Sequence, residues 1–291
     1  MQRVLEHKDV PLITQLEQVK LGVAVANHLD AALTPRKGER TEHRLWFSQL
    51  GTKCFRKTWY EIKHPELAEP LSADNRFKYL YGNVIEELAL NVAIAAGHKV
   101  ERQQERIEVP IGSFGDDLWS LTGRIDAVID GHVIDVKSMS TYSFKEQPAN
   151  LLEASDMFGY TSQLRGYNDM IGDPARDAAL LCVDKQLGHM KLSVLVGDKA
   201  NPAKTVAHAR YLLTGSVYSL TPPSRRALEP MGKSGNMKLD TYCSYCPFKR
   251  DCWSAMRTFL YAGKPVHLVE VVKEPDVPEL KYDGEEARWT V

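Results

Sequence analysis

Residues 123–138 read GRIDAVIDGHVIDVKS. The Asp-Gly dipeptide at 130–131 separates two runs rich in β-branched residues, which is the strongest short-range signal for a β-hairpin with a two-residue turn. With that turn, the register places Asp126 directly opposite Asp135. Their Cβ atoms would then lie about 5 Å apart on one face of the hairpin.

Lys137 follows Asp135 by two residues, so the pleat places both side chains on the same face. Two opposed carboxylates repel each other, and a divalent cation with oxygen ligands, such as Mg²⁺, compensates best. Such an ion lowers the pKa of a bound water and stabilises charge on a phosphodiester. Lys137 would orient the nucleophile or stabilise the transition state. The alternative is a surface hairpin with solvated acids.

We expect the intervening side chains to face an apolar layer: Ile125, Ala127, Ile129, Ile134 and Val136.

The length of 291 residues suits one large domain or one domain with appendages, and the net charge of −1 neither requires nor excludes nucleic acid. No apolar run reaches eighteen residues, so no membrane span is expected. The charged N-terminus lacks a signal-peptide core, which predicts a cytoplasmic protein, in the host cytoplasm if it is phage-encoded.

The pattern of apolar residues predicts an α/β fold with a mixed central sheet flanked by helices. A helix is expected within the first thirty-five residues, and a long helix from Ser72 to about Ala96 with Gly97 as its cap. Further helices are expected at 155–172 and 203–218. Strands are expected at 98–102, 105–109, 118–129, 132–137, 178–184 and 189–196. Residues 221–240 suggest a mobile loop, and those from about 265 a Pro- and acid-rich tail.

Asp…Asp-Val-Lys on a hairpin resembles the PD-(D/E)XK nuclease superfamily. The resemblance implies a restriction-endonuclease-like core in which Asp126 and Asp135 bind the metal ion. It also implies that Lys137 acts in catalysis and that the backbone carbonyl of Val136 completes the metal shell.

Upstream, Gly82 and Glu86 lie on a helix face of mostly small residues, from which an acid can reach a neighbouring sheet. Gly-x-x-x-Glu resembles a motif of the same superfamily, which implies that Glu86 is a further metal ligand and catalytic residue. The alternative is an ordinary exposed helix residue, as we expect for Glu87. Val84, Leu88 and Val92 mark a separate apolar stripe.

Downstream, Gln163 and Tyr167 are one helical turn apart. They look like the Gln-x-x-x-Tyr motif of the RecB-like branch, which implies that they line the active site and help to position DNA. Such a pair is also commonplace on helices.

The segment CSYCPFKRDC at residues 243–252 contains three cysteines, and Cys-x-x-Cys brings two thiolates to one metal. Together with Cys54, the spacing resembles the iron–sulfur branch, which includes the CRISPR-adaptation Cas nuclease. The resemblance implies a [4Fe–4S] cluster held by Cys54, Cys243, Cys246 and Cys252. A zinc site is the alternative. Cys182 lies in an apolar run and is expected to be buried.

These patterns divide the chain into four regions: an N-terminal helical region with Cys54 (1–70), the nuclease core (71–220), the cysteine-rich iron–sulfur segment (221–264) and the tail (265–291). The iron–sulfur group would staple the N- and C-terminal helical regions together.

The resemblance implies a Mg²⁺- or Mn²⁺-dependent deoxyribonuclease, more an exonuclease on DNA ends or single strands than an endonuclease. Its setting would be recombination, repair, or phage or CRISPR DNA processing. The partners would be DNA, further copies of the chain, or a recombination or CRISPR protein. A catalytically inactive DNA-binding or assembly subunit with the same fold is the alternative.

Overall fold

The computed structural model describes residues 43–154, 156–173, 175–197, 200–219, 221–284 and 288–290. The helix expected within the first thirty-five residues lies outside this part. The helices are α1 (Phe55–Lys63), α2 (Ala73–Ala95), α3 (Thr141–Glu146), α4 (Tyr160–Ile171), α5 (Pro202–Ser216), α6 (Thr241–Ser244) and α7 (Lys249–Cys252). The strands of the first two thirds are β1 (Arg44–Trp46), β2 (Val100–Glu101), β3 (Arg106–Phe114), β4 (Asp117–Arg124), β5 (Ala127–Ile129), β6 (His132–Met139), β7 (Ala178–Asp184) and β8 (Met190–Leu195). Within the described ranges, no helix is both long enough and apolar enough to span a membrane.

The hairpin of β5 and β6 has the turn and the register expected from its sequence. Ile129 pairs with His132 in an antiparallel ladder. Asp130 and Gly131 both have positive φ, 50° and 84°, as a two-residue type I′ turn requires. Asp126 immediately precedes β5. One further step of the same register places Asp126 opposite Asp135.

Two sheets carry the core and confirm the expected mixed α/β class. A five-stranded sheet has the order β2-β5-β6-β7-β8, with β6 and β7 parallel and the other neighbours antiparallel. A three-stranded sheet has the order β1-β4-β3, with β1 parallel to β4. The single strand expected at 118–129 is therefore two strands, because pairing stops between Arg124 and Ala127.

Apolar layers cover both faces of β6, as alternation along a strand requires. Ile134 and Val136 pack with Ile85 and other residues of α2. Val133 packs in the second layer, with the α4 side chains. The expectation for Ile125 was wrong: it is buried in the Val133 layer, because it lies in the break between β4 and β5, where the alternation is interrupted.

Helix α2 has the expected ends: the Ser72 hydroxyl accepts a hydrogen bond from the Asn75 amide, and Gly97 follows with φ 93°. Its buried face contains Ile85, Ala89 and Leu90. The separate stripe is exposed at the surface: Val84, Leu88 and Val92 are 60%, 61% and 45% exposed. The face with small residues is the one that approaches the sheet, because small side chains let a helix backbone come close.

The C-terminal third differs from the expected loop and tail. It forms a six-stranded antiparallel sheet in the order β14-β13-β11-β12-β10-β9. Its strands are β9 (Glu229–Pro230), β10 (Met237–Lys238), β11 (Arg257–Tyr261), β12 (Lys264–Glu270), β13 (Glu279–Asp283) and β14 (Arg288–Thr290). The C-terminal region is therefore largely β-structure instead of helical. The two-residue turn at 262–263, with positive φ at both positions, was the sequence signal for β11 and β12.

Two glycines fix the approach of the N-terminal part to α4. Gly159 precedes α4 with φ 79°, and a Cβ added to it would lie 2.6 Å from the Cα of Gly51. A Cβ on Gly51 would lie 2.2 Å from the Cα of Gly159. Both contacts are with backbone atoms, which cannot turn away as a flexible side chain can.

We therefore expect Gly159→Ala to destabilise the protein more than Gly188→Ala. Gly188 also has positive φ, 73°, but an added Cβ there meets no described atom within 4 Å. Gly188→Ala should lower the free energy of unfolding by about 1–2 kcal/mol through backbone strain. Gly159→Ala should cost about 1–3 kcal/mol more through the clash. Urea denaturation of both variants measures the difference, and equal losses would contradict the role of the glycine contact.

Candidate active site

The two hairpin acids are held by different means. Asp135 lies within β6 and is only 3% exposed. The Asp126 carboxylate accepts a hydrogen bond from the backbone N–H of Val136, with 2.7 Å between Oδ2 and N. This bond ties the residue before β5 to the middle of β6, so the break in pairing still leaves Asp126 beside Asp135.

Lys137 pairs with Asp135, with 2.5 Å between Nζ and Oδ2. The contact is an ion pair, but Oδ2 of Asp135 is buried and makes no hydrogen bond of good geometry with the described residues. Burial would lower the pKa of Lys137, but the charges of Asp135 and Asp126 outweigh it and raise that pKa, so the ammonium stays charged. One ammonium thus faces two acids, of which Asp135 is buried and Asp126 is half-buried.

The shortage of positive charge is visible at Asp126. Burial, reinforced by the charge of Asp135, raises the pKa of Asp126 to about 8. A carboxyl group with such a pKa is held in its charged form at neutral pH only if further positive charge is supplied.

Glu86 of α2 reaches the same acids. It is half-buried, and burial followed by the charge of Asp135 raises its pKa. The side-chain amide of Gln104 donates a hydrogen bond to Glu86. Glu87 is exposed, as expected. The structure therefore brings Glu86 to the hairpin from the helix packed on the opposite face of β6.

These acids suit a hard divalent cation. Among the described residues, no group of three or more His, Cys, Asp or Glu side chains stands in an arrangement that could hold a metal ion. Mg²⁺ does not need such a cage, because it keeps several waters and is usually bound through one or two carboxylates. The carboxylates of Asp126 and Asp135, with the pKa of Asp126 raised by burial and by the charge of Asp135, fit that chemistry.

Gln163 and Tyr167 lie behind the acids. Tyr167 is 3% exposed, and its hydroxyl is hydrogen-bonded by the Gln163 side chain and the Arg124 backbone. Burial raises the pKa of Tyr167, and the charges of Asp135 and Asp126 act on it in the same direction. A Cβ on Gly123 would lie 2.6 Å from the Tyr167 hydroxyl oxygen, so a glycine is required for this approach.

Tyr160 is a site residue that the sequence reasoning missed. The Nζ of Lys137 lies 5.1 Å from the centroid of the Tyr160 ring. Burial raises the pKa of Tyr160, whereas the charge of Lys137 lowers it. Its position three residues before Gln163 on α4 was the available signal, because residues three apart share a helix face.

The thiols predicted to act together line one pocket, hereafter the cysteine pocket: Cys54, Cys243, Cys246 and Cys252. Lys57 and Arg226 also line it, and their positive charges can balance thiolates. Burial raises the pKa of Cys54, and it raises the pKa of Cys246 to about 11. Cys182 lies apart, buried in β7 as expected.

Hydrogen bonds and stacked rings hold the cysteine segment against the N-terminal part. Phe248 stacks on Tyr60 of α1, with 5.2 Å between ring centroids. The Lys249 ammonium pairs with Glu69. The Asp240 carboxylate caps α6 by accepting a hydrogen bond from the Cys243 amide at 2.7 Å. Cys54 is therefore fixed relative to a segment nearly two hundred residues away.

Comparison with known proteins identifies the family of the chain. The family model of the PD-(D/E)XK nuclease superfamily matches residues 3–253. No curated protein is significantly similar to the chain in sequence. One solved structure, described as the crystal structure of SSO0001, is similar with a TM-score of 0.48 and 16% identity, over 79% of this chain and 94% of that chain.

The match to the family model covers most of the chain and includes the two hairpin acids, the lysine and the four cysteines. The chain therefore belongs to the PD-(D/E)XK nuclease superfamily, whose members are metal-dependent nucleases that usually use Mg²⁺ or Mn²⁺.

Proposed function

We propose that the protein is a metal-dependent deoxyribonuclease that acts as an exonuclease on DNA ends or single strands. The observation that carries the proposal is the pair of buried Asp135 and half-buried Asp126, with the Lys137 ammonium in contact with Asp135. Membership of the superfamily supports phosphodiester hydrolysis. The preference for ends or single strands comes from the resemblance to the RecB-like branch.

Asp126, Asp135, Glu86 and the Val136 carbonyl would hold one or two Mg²⁺ or Mn²⁺ ions. When bound, such an ion supplies stabilisation of the charge that develops on the phosphodiester. The Lys137 ammonium remains charged and is held at the acids by its ion pair. It can therefore orient the attacking water or stabilise the developing charge.

Gln163 and Tyr167 act as positioning residues in this proposal. The Tyr167 hydroxyl is hydrogen-bonded by Gln163 of α4 and by the backbone of Arg124, so it joins α4 to β4, which ends two residues before Asp126. The pair thereby limits the movement of Asp126 relative to Asp135. Gln163 is only half-buried and can also reach the DNA strand.

We further propose that the cysteine pocket holds a [4Fe–4S] cluster. Four thiols and four basic side chains around one pocket support it, because such a cluster takes one thiolate at each of four irons. Four cysteine thiolates also suit a single tetrahedral zinc ion. Zinc is therefore the second candidate for this pocket.

Digestion of 5′- and 3′-labelled single- and double-stranded DNA with Mn²⁺, alongside a circular substrate, tests the main proposal. An exonuclease releases nucleotides progressively from the labelled linear strands and leaves the circle intact. Cleavage of the circle at a similar rate would contradict exonuclease action. No cleavage of any substrate would overturn the proposed activity.

Lys137→Ala should reduce the cleavage rate roughly 100- to 1,000-fold, because it removes the ammonium whose positive charge would stabilise the reacting group. Lys191→Ala is a matched control: it also lies on a strand of the five-stranded sheet, with its ammonium 4.6 Å from the centroid of Phe144. The control should cleave as the unaltered protein does. Equal activity of the two variants would remove Lys137 from the mechanism.

Asp126→Asn should weaken Mn²⁺ binding and cleavage together, by at least the roughly 10- to 100-fold loss of metal affinity that is typical when a residue that only orients a ligand is replaced. Glu86→Gln should change the ratio of Mg²⁺- to Mn²⁺-supported rates while cleavage persists, since Glu86 lies at the edge of the acid pair. Titration calorimetry with Mn²⁺ and metal-dependent rates measure both effects. Glu87→Gln, on the exposed side of the same helix, is the control and should change neither. Unaltered Mn²⁺ affinity in Asp126→Asn would contradict the ligand assignment.

Anaerobically purified protein should be brown and contain about four irons per chain, and Cys54→Ser should lose both colour and iron. Cys182→Ser should retain them, because Cys182 is buried in β7 away from the pocket. Visible absorption and elemental analysis provide the measurement. A colourless protein with one zinc per chain would establish the second candidate instead.

A further inference from the structure

A row of aromatic rings leads from the catalytic lysine to the cysteine segment. The Tyr160 ring lies under the Lys137 ammonium. Phe158 is 5.8 Å from Tyr160, and Tyr245 is 6.2 Å from Phe158, measured between ring centroids. Tyr79 of α2 lies close enough to Tyr160 to affect its pKa. These four rings, Tyr79, Tyr160, Phe158 and Tyr245, are hereafter the aromatic track.

Most of the aromatic track faces solvent. Tyr79, Phe158 and Tyr245 are 64%, 53% and 74% exposed. Tyr245 differs in this from its neighbours Tyr242 and Phe248, which line the cysteine pocket. Packing over the cysteines therefore does not account for Tyr245.

The backbone holds two of the rings in place. Gly159 lies between Phe158 and Tyr160 and has a left-handed backbone conformation. It packs closely against Gly51. Asp156, the acid that acts on Tyr160, accepts a hydrogen bond from the Thr161 amide at 3.2 Å. The rings are therefore presented by a fixed turn at the start of α4, not by a free loop.

Positive charge lies beside this turn. Lys53 is exposed and follows Gly51 by two residues. Its backbone N–H lies 3.4 Å from the Tyr242 hydroxyl, and its carbonyl accepts a hydrogen bond from Arg226. The backbone of Lys53 is thus anchored at the cysteine segment, while its ammonium remains available to a phosphate.

We propose that the aromatic track binds the unpaired bases of single-stranded DNA and guides the strand between Lys137 and Tyr245, with Lys53 contacting a phosphate. This inference rests on the proposed nuclease function, because the track begins at the proposed catalytic lysine. Aromatic rings stack on every base and so bind single strands without sequence preference. In a duplex the base faces are already stacked, so the track would favour unpaired strands.

The test measures the binding of a fluorescent single-stranded oligonucleotide by its fluorescence anisotropy. EDTA is present so that no cleavage occurs. Phe158→Ala and Tyr245→Ala should each weaken binding roughly 5- to 150-fold, the range for losing one stacked base. Tyr245→Phe keeps the ring and should bind as the unaltered protein does. Tyr211→Ala is the control, since Tyr211 is 61% exposed but contacts Phe55 on α1.

Salt dependence separates the rings from the lysine. Lys53→Ala should reduce the slope of log affinity against log salt by about 0.7, the value for one phosphate contact on a single strand. The ring variants should leave this slope unchanged. Binding to a blunt duplex should be unchanged in the ring variants as well.

Unaltered single-strand affinity in both alanine variants, with melting temperatures near that of the unaltered protein, would overturn the proposal. An equal loss of single-strand and duplex affinity would overturn it too, as would failure of the unaltered protein to bind single strands. If the strand binds as expected but no metal supports cleavage of any DNA, the nuclease proposal fails and the aromatic track stands.

Discussion

The structure depends on keeping two like charges close together in a buried place. Two unit charges roughly 5 Å apart repel by about 3 kcal/mol at an effective dielectric constant of about 20. Lys137 offsets part of this repulsion at Asp135, and the Val136 amide offsets part of it at Asp126. The remainder appears as the raised pKa of Asp126, which makes the site a place where a cation is stabilised.

This constraint explains why β6 is covered on both faces. A lone hairpin would let the acids separate into water, and their repulsion would then cost little. Here α2 packs on one face through Ile134 and Val136, and α4 packs near the other through Leu164 and Tyr167. The same two helices carry Glu86 and Gln163, so the elements that bury the acids also supply the side chains around them.

The N-terminal part of the described chain meets the segment 243–252 at the cysteine pocket. Cys54 precedes α1, and the other three thiols belong to the segment that leads into the C-terminal sheet. Beside this pocket, Gly51 lies against Gly159, the residue before α4. Tyr160 is the first residue of α4, and its ring lies under the Lys137 ammonium. A thiolate-bound group would therefore stabilise the turn that presents the aromatic track as well as the contact between the two terminal regions.

The hairpin could be read from the chain alone, because a two-residue turn and a period of two are local properties: Asp130-Gly131 set the register and thereby the place of Asp126 and Asp135. The ends of α2 were predictable for similar reasons, whereas the grouping of Cys54 with the other three cysteines followed from the family resemblance. The tertiary structure decided three other features: which face of α2 is buried, the break that places Ile125 in another layer, and the position of the Tyr160 ring under the Lys137 ammonium. Each depends on contacts between residues far apart in sequence, and no local pattern contains those contacts. The C-terminal sheet lies between these cases: its turn at 262–263 was a local signal, but its edge partners, β9 and β10, are two-residue strands that only pairing defines.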